Sequence, residues 1–365
     1  MQYSKALARN LSQEANLPYN GPMAQVIKTY NLEQLDDFIL FSGEKPFRKN
    51  QLLEWIYGKQ ATSFDQMTNL SASFRDQLSQ NFQLQQPKIV NKRQSKDGTR
   101  KYLISLYDGQ LVETVAIPSS NQKERLTVCF STQVGCPMAC EFCATGHEGF
   151  TRNLGMGEMI DQILIAQNDM GQRVSNLVAM GQGEPFLNYE NTLDALKVLN
   201  NKKIVGIGAR KITVSTCGII PGIQRFSQEP YQYTLAVSLH SAIQEKRDQM
   251  MPKVKKYPLP QLKQALIDYL EATDRRVTFE YLLIKGVNDS SEDLNALKNF
   301  CSGLLCHVNL LPVNKIEGSS YQPSPKDNVK RWIEQLESQG VETTLRTSRG
   351  SDIEGACGQL KNAVL

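Results

Sequence analysis

The 365-residue sequence predicts an α/β protein whose core is a partial barrel of six β/α units. From residue 127 onward, short β-rich runs alternate with helical stretches at a separation of roughly 30 residues, which is typical of βαβ units. Apolar residues recur at helical spacing over residues 33–85, and two Asp-Gly pairs follow between runs of strand-forming residues. We therefore expect a small N-terminal helical domain, then a β-hairpin meander, then the barrel.

The helical domain is predicted to occupy residues 1–85. In the stretch KPFRKNQLLEWIYG, five apolar side chains are spaced so that they can share one helix face: Phe47, Leu52, Leu53, Ile56 and Tyr57. Such a face favours a small helical unit packed around its own apolar side.

The meander is predicted over residues 86–121. Its two turns lie in SKDGTRKY and LYDGQLVE, where the Asp-Gly pairs favour tight hairpin turns. The first part of the meander carries a basic strip, with the single acid Asp97, formed by Lys88, Lys92, Arg93, Lys96, Arg100 and Lys101. Such a strip is either a solvated surface or a surface that contacts phosphates, and the sequence leaves both interpretations open.

The barrel is predicted over residues 122–350, followed by a C-terminal segment over residues 351–365. Its six strand runs are LTVCFST, SNLVAMG, RKITVST, YTLAVSL, VTFEYLLI and CHVNLLP. In such folds the chemistry gathers at the carboxyl ends of the strands. Five segments follow strands there: a cysteine loop after the first, GQGEP after the second, STCG after the third, SLHS after the fourth and PVN after the sixth. We expect these five segments to meet in one site.

Composition limits the class of protein without identifying a function. Hydrophobic residues make up 40% of the chain, enough for a sizeable core, and no apolar run approaches the ~20 residues of a membrane helix. The net charge of +4 permits an RNA partner but does not require one. Because the opening MQYSKALARN carries no apolar signal stretch, we expect a cytoplasmic protein with no membrane role and with reduced cysteines.

The stretch GCPMACEFC places Cys136, Cys140 and Cys143 on one short loop. In a reducing compartment, thiols crowded in this way serve metals or chemistry rather than disulfides. A structural zinc site needs four ligands, usually in two separated C-x2-C pairs, whereas the C-x3-C-x2-C spacing here has no partner pair. An iron–sulfur cubane that only carries electrons takes four thiolates. Three thiolates therefore indicate a cluster with one iron open to a small molecule.

This loop resembles that of the radical S-adenosylmethionine superfamily, and further motifs narrow the resemblance. The stretches FSTQVGCPMACEFCATGHEGFTRNL, GQGEP, STCGIIPGI, VSLHS and GSDIEGACGQL together resemble the RNA adenine methyltransferases of the RlmN and Cfr type. The resemblance covers almost the whole chain. Two positions depart from the family pattern: Gln182 replaces the methionine of Gly-Met-Gly-Glu-Pro, and Val313 stands where an aromatic residue often precedes the last site asparagine.

The resemblance implies an enzyme that methylates C2 of adenosine in 23S ribosomal RNA, at the peptidyl-transferase centre, and in transfer RNA, 3′ of the anticodon. GFTRNL and EKPFR look like the C2 branch, but a C8 methyltransferase of the Cfr type would keep every catalytic residue and is the first alternative. A methylthio-transferring radical enzyme would need three cysteines ahead of the cluster loop, and no cysteine precedes Cys129. The second alternative is a non-catalytic, metal-stabilised RNA-binding protein.

The resemblance also implies roles for individual residues. Cys357 accepts a methyl group from one S-adenosylmethionine, and a radical from a second activates that methyl for addition to adenine, so two are used per turnover. Cys129 then attacks the sulfur of Cys357 to release the RNA from its covalent adduct, and Glu113 removes the C2 proton. One [4Fe-4S] cluster is implied on Cys136, Cys140 and Cys143. S-adenosylmethionine is implied to contact Gly183, Glu184, Ser215, Ser238, Leu239, His240 and Asn314.

The implied partners are RNA, as 23S ribosomal RNA before full assembly and as transfer RNA, and an electron donor such as flavodoxin. Two surfaces are candidates for gripping RNA: the basic strip of the meander, and Arg48, Lys49 and Lys59 beside Trp55 and Tyr57. Three further cysteines, Cys217, Cys301 and Cys306, are interpreted as packing residues. His147 and His307 receive no role.

Overall fold

The structure, a computed structural model, describes residues 25–120 and 125–362. The opening MQYSKALARN lies outside the described residues. The architecture is α/β, as predicted, and its centre is a ten-stranded sheet that contains both the barrel strands and the meander strands. None of the helices in the described ranges is both long and apolar enough to span a bilayer.

The N-terminal part is mainly helical. Its elements are β1 (Gln25–Val26), α1 (Leu32–Phe41), α2 (Arg48–Leu53), a π-helical turn (Glu54–Gly58), α3 (Ala72–Asn81) and β2 (Phe82–Gln83). The sequence starts α1 with a capping box, in which the Asn31 side chain accepts the backbone N–H of Gln34 and the Gln34 side chain accepts that of Asn31. Leu52, Leu53, Ile56 and Tyr57 are buried as expected.

The prediction that Phe47 shares this buried face is wrong. The side chain is 51% exposed. Phe47 immediately precedes α2 as its N-cap, so it lies outside the regular helical spacing from which the face was predicted. The Arg48 guanidinium stacks over its ring instead, 5.0 Å from the centroid.

Both predicted hairpins are confirmed, and they extend the barrel sheet. The strands β3 (Lys88–Gln94), β4 (Arg100–Ser105) and β5 (Leu111–Pro118) pair antiparallel in sequence. Gly98 and Gly109 adopt positive φ angles of +84° and +81°, which explains the Asp-Gly pairs at the turns. β5 pairs with the first barrel strand through Val115 and Cys129, so the meander and the barrel form one sheet.

All six predicted barrel strands are present and pair in parallel, in chain order. They are β6 (Leu126–Cys129), β9 (Asn176–Ala179), β10 (Ile212–Thr216), β11 (Thr234–Ser238), β12 (Val277–Leu283) and β13 (Cys306–Pro312). A further parallel strand, β14 (Glu342–Leu345), was not predicted because its sequence ETTL lacks an apolar run. A small hairpin of β7 (Gln133–Gly135) and β8 (Phe150–Asn153) flanks the cysteine loop.

Helices connect successive barrel strands, as a βαβ pattern requires. They are α4 (Ala144–Glu148), α5 (Met156–Met170), α6 (Tyr189–Asn200), α7 (Ile220–Phe226), α8 (Gln244–Met250), α9 (Leu259–Thr273), α10 (Ser291–Cys301) and α11 (Lys326–Glu337). Short 3₁₀ turns lie at Ile27–Thr29, Phe64–Gln66, Pro185–Leu187, Ala209–Lys211, Pro252–Val254 and Ser351–Ile353.

The N-terminal part docks on α5 through a buried ion pair. The Lys28 ammonium lies 2.7 Å from Asp161 Oδ1, with side-chain exposures of 1% and 2%. The backbone approaches closely here, since a Cβ on Gly157 would lie 2.2 Å from the Lys28 carbonyl oxygen. The phenol of Tyr107 also donates to Asp161, so helix, meander and N-terminal part meet at one carboxylate.

Candidate active site

The cysteine loop lies at the carboxyl end of the first barrel strand, held by close backbone contacts. The Cys136 N–H donates to the Gly149 carbonyl at 2.7 Å. Gly135 has φ +71°, and a Cβ there would lie 2.0 Å from the same oxygen, so only glycine fits. A Cβ on Gly146 would lie 2.8 Å from the Cys140 nitrogen. The three cysteines are thus presented by a tightly folded loop.

The surroundings of these thiols fit an iron–sulfur cluster. Burial raises the pKa of Cys143, while N–H groups of Gly146 and Thr145 and the Thr145 hydroxyl donate toward its sulfur and oppose that rise. Donors aimed at sulfur stabilise thiolate, the form that binds iron. Among the described residues, no three His, Cys, Asp or Glu side chains are arranged to hold a single metal ion. A cubane differs from such a site, because each thiolate binds its own iron.

The second-strand loop GQGEP is packed tightly beside the cysteine loop. Gly183 has φ +104°, and a Cβ there would lie 2.6 Å from the Gln133 Cβ. Glu184 is 1% exposed, and its carboxylate accepts the Phe186 N–H at 3.0 Å and the Cys217 N–H at 2.6 Å. Burial raises the pKa of Glu184, and these amides oppose the rise. Glu184 therefore ties the second-strand loop to the third.

Cys217 belongs to this site, which corrects its interpretation as a packing residue alone. It follows β10, and its thiol hydrogen-bonds with that of Cys140, a contact that raises the pKa of Cys217, as does burial. Cys301 and Cys306, by contrast, are buried in the core, 2% and 8% exposed, and contact each other.

The third and fourth strands end beside the same loop. Ser215 in β10 and Ser238 in β11 are half-buried, and Leu239 is fully buried with its N–H donating to the Glu280 carbonyl at 3.1 Å. His240 adopts φ +53° and packs edge-on against Phe142 of the cysteine loop, with ring centroids 4.6 Å apart. Burial lowers the pKa of His240 to about 3, so the imidazole is neutral at physiological pH.

Cys129 and Cys357 share one cavity of about 320 Å³, lined also by Asn314, Met180 and Arg346. Burial raises the pKa of Cys129 to about 12, and the neighbouring Cys357 adds to the rise. Cys357 is exposed to solvent in the open cavity. Many protein atoms nevertheless lie around its thiol, and the resulting loss of hydration raises its pKa. The Arg346 guanidinium lowers the pKa of both thiols. The structure therefore brings two thiols and one cation together from distant parts of the chain.

Glu113 faces the C-terminal segment from β5 rather than solvent. It is 2% exposed, with Lys101 Nζ 2.9 Å from Oε1 and the Lys361 N–H donating to Oε2 at 2.9 Å. Burial raises the pKa of Glu113, and Lys101 and the Lys361 amide oppose the rise. Lys101 was predicted as part of the basic strip, and this is wrong: it is 6% exposed and neutralises Glu113.

Hydrogen bonds from several loops hold the segment that carries Cys357. Asn314 Nδ2 donates to the Cys357 carbonyl at 3.0 Å, and the Ala144 N–H donates to the Gly358 carbonyl at 2.8 Å. Gln182, the departure from the family methionine, donates to Asn362 and accepts the Glu113 N–H, each at 3.0 Å. The segment is thereby fixed between the cysteine loop, GQGEP and β5.

Most members of the proposed RNA-gripping surfaces are already paired. Lys92 and Arg100 both contact Asp169, at 2.7 and 2.8 Å. In the helical part, Arg48 pairs with Glu44, Lys49 with Asp36 and Lys59 with Glu54. Lys59 also lies 3.7 Å above the Trp55 ring. Tyr57 is 2% exposed, so its proposed place beside RNA is wrong.

Sequence reasoning missed three residues that contribute to the site: Lys101, Arg346 and Arg247. Lys101 and Arg247 are buried and Arg346 lines the cavity of the two thiols, and charge patterns along a sequence show neither burial nor position. Arg346 follows the unpredicted β14, so its entry into the barrel depended on a strand that had no apolar signal.

Comparisons with known proteins agree with this architecture. Residues 27–84 match the family model described as the ribosomal RNA large subunit methyltransferase N-terminal domain, and residues 130–297 match the radical SAM superfamily. The chain is 44% identical to a probable dual-specificity RNA methyltransferase RlmN of Clostridium novyi, covering 92% of this chain and 97% of that protein. It is 45% identical to the protein of the same name from Alkaliphilus metalliredigens, covering 90% and 93%.

A solved structure also resembles this chain over most of its length. The crystal structure of a radical SAM methyltransferase from Sphaerobacter thermophilus superposes with a TM-score of 0.84 at 40% identity, covering 93% of this chain and 100% of that chain. Radical SAM membership implies S-adenosylmethionine and a [4Fe-4S] cluster, which the three-cysteine loop is suited to hold. The chain belongs to the RlmN family of radical SAM RNA methyltransferases.

Proposed function

We propose that this enzyme methylates C2 of adenosine in 23S ribosomal RNA, at the peptidyl-transferase centre, and in transfer RNA, 3′ of the anticodon. The observation that carries the proposal is that Cys129 and Cys357, both free thiols, line one cavity beside the cysteine loop. Adenine C2 carries neither a lone pair nor an acidic hydrogen, so a methyl group cannot be placed there by simple displacement. A thiol that carries the carbon and a second thiol that releases it meet this need.

The cysteine loop is proposed to hold one [4Fe-4S] cluster through Cys136, Cys140 and Cys143. When bound, the cluster and S-adenosylmethionine supply a carbon-centred radical, and two S-adenosylmethionine molecules serve each turnover. Among this chain's residues, Gly183 and Glu184 are proposed to face the amino group of the cofactor, Ser215 and Ser238–His240 its ribose or carboxylate, and Asn314 its adenine or ribose. The His240 imidazole is neutral and its Nδ1 accepts the Leu282 N–H, so its Nε2–H can donate a hydrogen bond there.

Cys357 is proposed to carry the methyl carbon to adenine, which joins the RNA covalently to the protein. The Cys129 thiolate then attacks the Cys357 sulfur and a disulfide forms. The carbon–sulfur bond to the RNA breaks with its electron pair passing to the released carbon, which takes up a proton to become the methyl group. Arg346 favours both thiolates, since it lowers the pKa of each. Glu113, whose ionised form is favoured by Lys101, takes the C2 proton.

Unpaired adenosines are the substrates that this cavity suits, because a base must leave its stack to reach the thiols. Arg125, Arg210 and Lys211 line the same cavity, and we propose that they contact RNA phosphates in place of the paired residues of the meander. The 23S RNA is therefore proposed to be modified before full assembly. An electron donor such as flavodoxin and a reducing cytoplasm complete the proposal.

The test is mass spectrometry of nucleosides from unassembled 23S RNA and from transfer RNA treated with anaerobically purified enzyme. 2-Methyladenosine in both RNAs is expected. 8-Methyladenosine would assign the C8 activity instead. Protein that contains stoichiometric zinc, without iron and sulfide, and forms no methylated nucleoside would establish a non-catalytic RNA-binding role.

A further inference from the structure

Arg247 is a buried cation that forms no ion pair among the described residues. It lies in α8, and its side chain is 0% exposed. Its Nη2 donates to the Cys217 carbonyl at 2.7 Å. Its Nε and Nη1 are buried and have no hydrogen-bond partner in the described part of the chain. Two strong donors therefore remain unused in the interior of an enzyme.

The neighbours of Arg247 place these donors beside the cysteine loop. The thiols of Cys140 and Cys217 lie close enough to act electrostatically on the guanidinium. Gly218 leaves room for it, since a Cβ there would lie 3.0 Å from Nη2. The Cys217 backbone is in turn held by Glu184. The guanidinium is thus locked between the third-strand loop and one of the three loop cysteines.

A buried charge is costly unless an opposite charge and hydrogen-bond acceptors compensate it. An iron–sulfur cluster on three thiolates supplies both, because it carries net negative charge and its sulfurs accept hydrogen bonds. Reduction makes that group more negative, so a fixed cation nearby favours the reduced form and raises the reduction potential.

We propose that Arg247 is a positioning residue for the cluster: its guanidinium is the counter-charge and hydrogen-bond donor of the group held by Cys136, Cys140 and Cys143, and it sets that group's reduction potential. The inference rests on the cluster assigned under the proposed function. It adds a residue that tunes the cluster without binding iron.

The experiment is a redox titration, followed by electron paramagnetic resonance, of anaerobically reconstituted full-length enzyme without S-adenosylmethionine. Arg247→Gln should disfavour reduction at least tenfold, a drop of about 59 mV or more for one electron. Arg247→Lys should fall between Gln and wild type, because the ammonium keeps the charge but not the planar array of donors. Lys246→Met is the matched control: it removes a neighbouring charge that pairs with Asp293, and it should not change the potential.

The possible results distinguish a role of Arg247 at the cluster from a role in binding S-adenosylmethionine. A potential unchanged in Arg247→Gln, or an equal drop in Lys246→Met, would overturn the inference. An unchanged potential with weaker binding of S-adenosylmethionine would assign the guanidinium to the carboxylate of that molecule instead. If Arg247→Gln does not fold, Arg247→Lys decides alone: a potential below wild type supports the inference, and an equal one overturns it. Wild-type protein without iron and sulfide would defeat the proposed function itself.

Discussion

Replacing Lys101 with Met should destabilise the protein by leaving Glu113 buried without its cation. The two side chains are 7% and 3% exposed and 2.9 Å apart, so this is a buried ion pair rather than a surface one. Breaking such a pair costs about 3–5 kcal/mol. The Lys361 N–H still donates to Oε2, so we expect the lower part of that range, about 3 kcal/mol.

The loss should depend on pH. Burial already raises the pKa of Glu113 above its unfolded value, so the native state binds the proton more tightly and stability falls as pH rises between the two values. Lys101 opposes that rise, and its removal widens the interval. The deficit should therefore be largest near about pH 8 and shrink toward about pH 5, where the native carboxyl of the variant is protonated and the unfolded carboxyl is close to its own pKa of about 4.3.

Urea unfolding of the apoprotein at both pH values measures the free energy of unfolding. The double variant Lys101→Met/Glu113→Gln should recover most of the stability, because no buried charge remains. A deficit that is independent of pH, and that Glu113→Gln does not reduce, would refute the reasoning. In the enzyme assay, release of RNA from the adduct should shift to more alkaline pH in Lys101→Met, since Glu113 must lose its proton to act as a base.

Other substitutions test the thiols, the tight loop and the docking of the N-terminal part. Cys129→Ala should accumulate RNA joined to Cys357, seen as a protein band of higher mass that nuclease removes. Cys357→Ala should give neither adduct nor product. Gly183→Ala should lower stability by about 1–3 kcal/mol in urea unfolding, because φ is +104° and the new Cβ meets Gln133 at 2.6 Å. Asp161→Asn should cost about 3–5 kcal/mol by the same measurement, because Lys28 stays buried without its partner.

Specific results would contradict each of these predictions. Product formed by Cys357→Ala would rule out a methyl carried on that sulfur, and Cys129→Ala that turns over without an adduct would rule out its release role. A stability of Gly183→Ala equal to wild type would show that the loop relaxes around the new methyl. For Asp161, a double variant with Lys28→Met that is no more stable than Asp161→Asn would show that the charge is not the cause.

The order of the barrel and the location of its site could be predicted from the sequence. Each apolar run is long enough to make one strand, and right-handed βαβ connections place successive strands side by side, so the loops after them must share one edge. Cys136, Cys140 and Cys143 lie close together in the sequence, and their C-x3-C-x2-C spacing by itself predicts a three-cysteine cluster loop. The two Asp-Gly turns are also local, because only positive φ is required of each glycine.

The tertiary structure alone decided which charges matter. Lys101, Arg247 and Arg346 look like ordinary surface cations in the sequence, yet the first two are almost fully buried and the third lines the cavity of the two thiols. Phe47 was misplaced because helical spacing predicts a face but not the residue at which the helix begins. Burial depends on which distant parts of the chain pack together. At Glu113, for example, the side chain of Lys101 and the backbone N–H of Lys361 meet at one carboxylate. The energy of a charge depends on its solvent exposure and on its partners. The fold and the three-cysteine loop could therefore be predicted from local sequence, whereas the electrostatics of the site depend on packing.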